Sequence, residues 1–245
     1  RDSVASRGLG DVYKRQVIPM IIVIENLLST DELSIIRQRL EKANWEDGKK
    51  TAGFLAQDVK HNLQLNPQSE LALELGDFLR QVLRANPSYI AAALPAKILP
   101  PRFNRYEHSG TYGNHIDNSI FNLPEGQQMM RSDVSSTIFF SEPDEYEGGE
   151  LIIEDSYGSH SVKLKAGDMV VYPGDSLHRV EPVTSGVRFA SFFWAQSMIR
   201  QAHRRRLLWQ LDQSIQRLSM SQDGRAEAIA LSGVYHNLIR EWAEV

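Results

Sequence analysis

His115 and Asp117 stand two positions apart, His178 answers them far downstream, and Arg188 lies on the apolar run that follows. Two imidazoles and one carboxylate form the facial set of a non-haem Fe(II) oxygenase, which leaves metal positions open for reactants. The same set can hold zinc with an open water position, the arrangement of a hydrolase, or serve a cupin-like metal sensor without turnover. Along a strand, residues i and i+2 share a face about 6–7 Å apart, so a strand or strand end is expected at 115–117. About 60 residues separate Asp117 from His178, and closing a loop of that length costs roughly 3–4 kcal/mol, so a sheet must hold the site. Arg188 adds a permanently charged planar fork suited to a carboxylate. In Val187–Trp194 it alternates in phase with Ala190, Phe192 and Trp194. A charge on an inward face needs a partner. Metal plus anion clamp points to a chelating acid as cosubstrate.

The elements that must position these residues follow from pattern. From about 97 to 195, short apolar runs at Ile98–Tyr106, Ser135–Phe140, Glu150–Glu154, Ser161–Leu164, Asp168–Tyr172 and Val187–Trp194 are divided by turn chemistry such as Gly148-Gly149, Gly167-Asp168 and Pro173-Gly174. Such repetition predicts an antiparallel sandwich or barrel, here a jelly roll. Ser29 and Glu32 have capping-box spacing ahead of a helix over 30–43, and Pro67 and Ser69 precede a second over 68–85. After Trp194, Ile199, His203, Leu207, Leu211, Ile215 and Leu218 form a helical stripe beside an arginine cluster at 200–206, read as a solvated face. Asp223-Gly224 ends that helix, and a last one is expected over 225–243. The class is thus α+β: a double-stranded β-helix core with N-terminal backing helices and C-terminal helices. The expected divisions are a non-native or disordered leader over 1–19 ahead of Met20, an N-terminal strand and helices over 20–96, a jelly-roll domain over 97–197 and a helical extension over 198–245.

Composition bounds the partners. Lys plus Arg number 27 against 31 Asp plus Glu, a net charge of −4, so no global field favours nucleic acid or an anionic membrane. There is no cysteine. That excludes disulfides, thiolate metal sites and a cysteine nucleophile, and fits a reducing compartment. No run approaches the ~18 apolar residues of a membrane span. Cytoplasmic is the default location. The C-terminal stripe fits either packing on the core or a homo-oligomer interface.

From Met20 to Val245 the chain resembles the iron and 2-oxoglutarate dependent dioxygenases, and within them the bacterial PKHD-type hydroxylases, which look like prolyl 4-hydroxylase catalytic domains. The likeness is carried by Phe103-Asn104-Arg105-Tyr106, Gly113-Asn114-His115-Ile116-Asp117-Asn118, Gly148-Gly149-Glu150-Leu151, the segment around His178, and Arg188. The resemblance implies one Fe2+ per subunit bound by His115, Asp117 and His178, with Arg188 holding the distal carboxylate of 2-oxoglutarate. It sets Tyr106 against the cosubstrate, although a core aromatic is an equal reading. It also implies O2 as reactant, L-ascorbate as reductant, and hydroxylation with release of succinate and CO2. The substrate is a peptidyl proline or lysine, or a siderophore-related small molecule. Lys60, Asn62, Arg102, Asn104 and Asn118 are candidate residues of the site mouth. One departure stands out: His61 occupies a position where the resemblance implies Asn.

Overall fold

In the computed structural model, residues 21–51, 57–123, 128–155 and 158–244 are described. The leader expected over 1–19 lies outside them. The chain begins with β1 (Ile22–Ile24), α1 (Thr30–Glu41), β2 (Trp45–Asp47), β3 (Lys60–His61), β4 (Leu63–Leu65), α2 (Glu70–Ala85) and α3 (Pro87–Ala93). The strand-rich centre comprises β5 (Pro95–Ile98), β6 (Arg102–Tyr106), β7 (Gly110–His115), β8 (Ile120–Asn122), β9 (Met129–Arg131), β10 (Val134–Phe139), β11 (Tyr146–Gly148), β12 (Leu151–Asp155), β13 (Gly158–Val162), β14 (Met169–Pro173), β15 (Leu177–Gly186) and β16 (Arg188–Ser197). Two helices close the chain, α4 (Ala202–Ser219) and α5 (Arg225–Trp242).

The caps act as their residue types dictate. Ser29 Oγ accepts from Glu32 N–H while the Glu32 carboxylate accepts from Ser29 N–H, so two of the otherwise unpaired amides at the start of α1 are satisfied. Ser69 Oγ accepts from Ala72 N–H at the start of α2. Both expected N-terminal helices are present. The seven-residue α3 is an addition to the expected elements; Pro87 opens it and the Asn86 side chain caps it.

An eight-stranded antiparallel sheet runs β1-β14-β10-β16-β6-β4-β2, with β5 also paired to β16. A six-stranded sheet runs β13-β12-β15-β7-β3, with β11 paired to β15. The two form the jelly roll, and the β8–β9 hairpin stands apart. Period-2 alternation sorts the larger sheet's side chains into two layers. Val134 and Ile138 of β10, Met169 and Val171 of β14, and Phe189 and Phe193 of β16 join Leu75, Leu79 and Leu83 of α2 on one side. On the other, Phe139, Val170, Tyr172 and Tyr106 meet Leu151, Ile153, Val180 and Val183 of the smaller sheet. Each such fully buried side chain contributes about 1.5–3 kcal/mol. The site opens between these sheets.

The C-terminal helices depart from the expected stripe. Ile199 precedes α4, Leu207 is 49% exposed, and the buried residues of the helix are Arg205 and Leu208. Leu208 clusters with Leu94 and Ile199, against Tyr235, Leu238 and Ile239 of α5. The arginine cluster is therefore not a uniformly solvated face. Arg205 is 2% exposed and donates to the carbonyls of Ile199, Arg200 and Asp133, because the first turn of α4 sits directly on the start of β10. No described helix is long and apolar enough to cross a membrane.

Candidate active site

His115 ends β7 and His178 lies near the start of β15, and the two are register partners across that strand pair. Asp117 follows in the irregular segment just past β7, so a strand end rather than a continuous strand presents the pair. One ligand-capable atom from each of the three residues lies within 4.8 Å of the others. Asp117 Oδ1 is 3.9 Å from His115 Nε2, and Asp117 Oδ2 is 3.7 Å from His178 Nε2. Each imidazole donates from Nδ1 to the carbonyl two residues before it, His115 to Gly113 at 2.7 Å and His178 to Ser176 at 3.0 Å. A carbonyl only accepts, so Nδ1 carries the proton in both rings and both Nε2 lone pairs face the carboxylate. Ser135 Oγ donates to Asp117 Oδ2 at 2.8 Å. Burial, then the neighbouring His178, pull the His115 pKa down to about 4. Two imidazole Nε2 atoms and a carboxylate, all gathered at one point, fit a divalent ion.

Arg188 begins β16 opposite Tyr106 of β6 and is 2% exposed. Its guanidinium carbon lies 5.2 Å from the Tyr106 ring centroid and 5.1 Å from that of Phe139. Among the described residues, Nε and Nη2 have no hydrogen-bond partner. A buried, permanently charged fork with unpaired donors fits the carboxylate of a bound acid. Gly149 makes room for it. At φ +68°, a Cβ there would lie 2.7 Å from Val183 Cγ2, 3.0 Å from Tyr146 Cε2 and 3.1 Å from Arg188 Cδ. The Tyr106 hydroxyl accepts from Asn104 Nδ2 at 3.1 Å, and burial raises its pKa.

A cavity of about 710 Å³ joins the His115/Asp117/His178 cluster to Arg188 and Tyr106. Lys60, Arg102, Asn104 and Asn118 also line it; Asn62 does not. Asn62 is buried behind the wall near the Tyr106 hydroxyl. Lys60 Nζ donates to Gln64 Oε1 at 2.9 Å, and burial, then the nearby Arg102 charge, pull its pKa down to about 8. Sequence reasoning misses three contributors: Ser135, Gly149 as a packing position, and Tyr112, for which a loop or packing role is the plainer reading of the sequence. Tyr112 stacks on His115 with centroids 3.5 Å apart. It lies on the strand that ends at His115, and the two glycines of that segment hide the strand. His61 is exposed, His160 pairs with Asp155, and His203 and His236 are exposed helix positions. None of these joins the cluster.

Comparison with known proteins gives the chain's family. The 2OG-Fe(II) oxygenase superfamily matches residues 101–196 and the PKHD-type hydroxylase C-terminal domain matches residues 203–244. A PKHD-type hydroxylase from Delftia acidovorans is 56% identical over 225 residues, spanning 92% of this chain and 100% of that protein. Another from Parvibaculum lavamentivorans is 53% identical over 224 residues, spanning 91% and 99%. Among solved structures, a Trichoplax adhaerens prolyl hydroxylase in complex with a hypoxia inducible factor oxygen degradation domain peptide fragment shares the fold, with a TM-score of 0.55 at 11% identity over 80% of this chain and 90% of that one. The chain therefore belongs to the PKHD-type hydroxylases of the 2OG-Fe(II) oxygenase superfamily, oxidoreductases that use Fe2+ and 2-oxoglutarate.

Proposed function

We propose that His115, Asp117 and His178 bind the Fe2+ of this hydroxylase and that Arg188, beside Tyr106, receives the far carboxylate of 2-oxoglutarate. The observation that carries this reading is the pairing, within one cavity, of a donor set converging within 4.8 Å and a buried arginine with two unpaired nitrogens. Iron, when bound, supplies the oxygen chemistry that these side chains cannot. In the net reaction, one oxygen atom of O2 enters a substrate C–H bond as hydroxyl. The other enters succinate as 2-oxoglutarate loses CO2, so atoms and electrons balance. The chain's own work is positional. Gly113 and Ser176 carbonyls fix the tautomers of the two imidazoles, and Ser135 orients Asp117. Arg188 sets the direction of the cosubstrate, and Tyr106, Phe139 and Tyr172 keep water from the cavity floor.

The finer readings belong here as well. The substrate is a small molecule or a peptidyl residue, L-ascorbate serves as reductant, and the enzyme works in the cytoplasm. Exposed Leu207, Ile229 and Val234 on α4 and α5 favour self-association through the C-terminal helices. The catalytic unit spans 97–197, with the helices α1 and α2 before it and α4 and α5 after it packed on it.

The test is direct. Purified protein supplied with Fe(II), ascorbate and 2-oxoglutarate releases succinate, and His115→Ala or Asp117→Ala abolishes that release together with metal binding. Arg188→Ala retains metal but weakens 2-oxoglutarate binding by about 2–5 kcal/mol. Unchanged succinate release in both ligand variants would refute the metal assignment, and an unaltered 2-oxoglutarate requirement in the arginine variant would remove the clamp.

A further inference from the structure

We infer that the substrate of this enzyme carries a carboxylate that docks on Arg102, with Lys60 as a second cation, while an apolar or planar portion lies against Phe121, Phe192 and Trp194. This rests on the hydroxylase reading above and deepens it. Among the described residues, the cavity is lined by three permanently or mostly charged cations, Lys60, Arg102 and Arg188, and by one carboxylate, Asp117. A divalent ion and a doubly charged 2-oxoglutarate offset one another, and Asp117, whose charge acts on both Arg102 and Lys60, offsets one of the three cations, so the described lining keeps a positive balance. Lys60 adds to the same field. A cationic substrate would enter against both, whereas an anionic one is drawn in.

Arg102 has the environment of an anchor awaiting its anion. It opens β6 opposite Phe192 of β16. Its guanidinium faces the rings of Trp194 and Phe121 at 5.5 and 6.0 Å and, among the described residues, donates no hydrogen bond and joins no ion pair. Stacking on two rings fixes the plane of the fork and leaves its edge of N–H donors for a ligand. Lys60 stands on β3, paired to Tyr112 of β7, with Nζ 5.2 Å from the Tyr112 ring and 6.0 Å from that of Phe192. Phe121 stacks on Trp194 at 4.2 Å, and Phe192 meets Trp194 edge-on at 5.4 Å. Cations and rings thus form one wall.

This wall is distinct from the cosubstrate clamp. Arg188 pairs with Tyr106 at one end of β6, and Arg102 pairs with Phe192 at the other. Four residues along β16 separate these partners, about 13 Å of strand. A 2-oxoglutarate held at Arg188 by its far carboxylate and at the His115/Asp117/His178 cluster by its near one has both carboxylates engaged. The carboxylate on Arg102 therefore belongs to a second molecule, whose oxidisable C–H faces the His115/Asp117/His178 cluster.

The experiment compares an acid with its neutral isostere on protein loaded with Mn(II) and 2-oxoglutarate, using calorimetry and saturation-transfer NMR. The probes are 3-phenylpropionate against 3-phenylpropionamide for a free acid, and a blocked tripeptide with central Glu against the same peptide with Gln for a peptidyl acid. In at least one pair the acid binds about tenfold or more tightly than its amide, the worth of a charge-assisted hydrogen bond. The pair that discriminates identifies the source of the carboxylate. Arg102→Met brings that ratio close to one, Lys60→Met lowers it partly, and neither alters the 2-oxoglutarate titration. Absence of discrimination in both pairs, including no saturable binding of any probe, overturns the inference with the wild-type protein alone. So does a rise in the 2-oxoglutarate requirement of Arg102→Met, because Arg102 would then belong to the cosubstrate pocket. Failure of the underlying reading appears separately, as loss of 2-oxoglutarate binding to the Mn(II)-loaded wild type.

Discussion

Ser135 shows how far the site depends on a residue that holds no metal itself. Its hydroxyl donates to Asp117 Oδ2, the same oxygen that lies 3.7 Å from His178 Nε2. Removing the donor frees the carboxylate to rotate, and hydrogen-bond partners of ligands are typically worth 10–100-fold in metal affinity. Ser135→Ala is accordingly expected to weaken Mn(II) binding by about that factor, measured by calorimetric titration. Affinity equal to wild type would show that the segment holds Asp117 without it. Lys60 offers a test by pH. Burial lowers its pKa to about 8 from an ordinary value of 10.5, so the folded state disfavours the charged form. Below pH 8 both folded and unfolded chains are protonated and the full cost is present. Between about 8 and 10.5 the folded chain sheds the proton first and stability rises with pH. Lys60→Met should then gain on the order of 1–3 kcal/mol at pH 7 and lose that advantage as pH rises through this window. Denaturant melts across pH 7–10 check it, and a difference that stays constant with pH would refute the buried-charge cost. That His115, Asp117 and His178 converge, and that Arg188 lines the same cavity, was legible because the chemistry proposed for them restricts residue type and strand geometry restricts spacing. Ser135 was not, since serine in an apolar strand carries no such restriction.

At the scale of elements, Gly149 decides whether Arg188 can occupy its place. The residue sits at φ +68° between β11 and β12, and a methyl group there would press on Val183, Tyr146 and the Arg188 stem together. Left-handed backbone costs a non-glycine residue about 1–2 kcal/mol before any contact is counted. Gly149→Ala should therefore lower stability by roughly 2 kcal/mol and raise the 2-oxoglutarate requirement, read by melts and by cosubstrate titration. A stability loss with unchanged cosubstrate binding would separate the turn from the clamp. Gly233 is the contrast: it lies inside α5, exposed, and a methyl group added there would meet nothing within 4 Å. Gly233→Ala should raise stability by about 1 kcal/mol through helix propensity and leave the cosubstrate titration alone. The same contrast explains which elements the sequence revealed. β10, β12, β14 and β16 bury side chains on both layers and read as apolar runs. β7 carries Gly110 and Gly113, and a Cβ at Gly113 would lie 2.8 Å from Val59 Cβ, so close packing rather than hydrophobicity made it a strand. β15 alternates exposed and buried residues around Pro182, and β2, β3 and β4 are two or three residues long. Only pairing with neighbours defines strands that short.

At the scale of the whole molecule, one buried arginine that composition could not distinguish from its neighbours joins the C-terminal helices to the start of β10, near the segment after Asp117. Ser132 Oγ donates to the Asn118 carbonyl, next to Asp117. The Asp133 carboxylate accepts from Arg131 and from Ser197 N–H at the end of β16. Arg205 then reaches from α4 to the Asp133 carbonyl as well as to those of Ile199 and Arg200. Start of β10, end of β16, metal-side segment and C-terminal helices thus share one knot of hydrogen bonds. Arg200, Arg204, Arg205 and Arg206 look alike in sequence. What separates them is that Arg205 shares the inner edge of α4 with Leu208, where apolar contacts with Leu94 and Ile199 pull the helix onto the core. Arg205→Met keeps much of the aliphatic volume but takes the donor from the Ile199 and Arg200 carbonyls and one of two from the Asp133 carbonyl, which Gly174 N–H still reaches, each full loss costing about 1–3 kcal/mol. A total near 3 kcal/mol or more corresponds to a fall in Tm of roughly 6–12 °C for a chain of this size. Arg206→Met, on the exposed side, should shift Tm little. Because the knot ends beside Asp117, the Arg205 variant should also bind Mn(II) more weakly than its stability at the working temperature accounts for. Unchanged metal affinity in a destabilised Arg205→Met protein would mean that the C-terminal helices support the fold without bearing on the site.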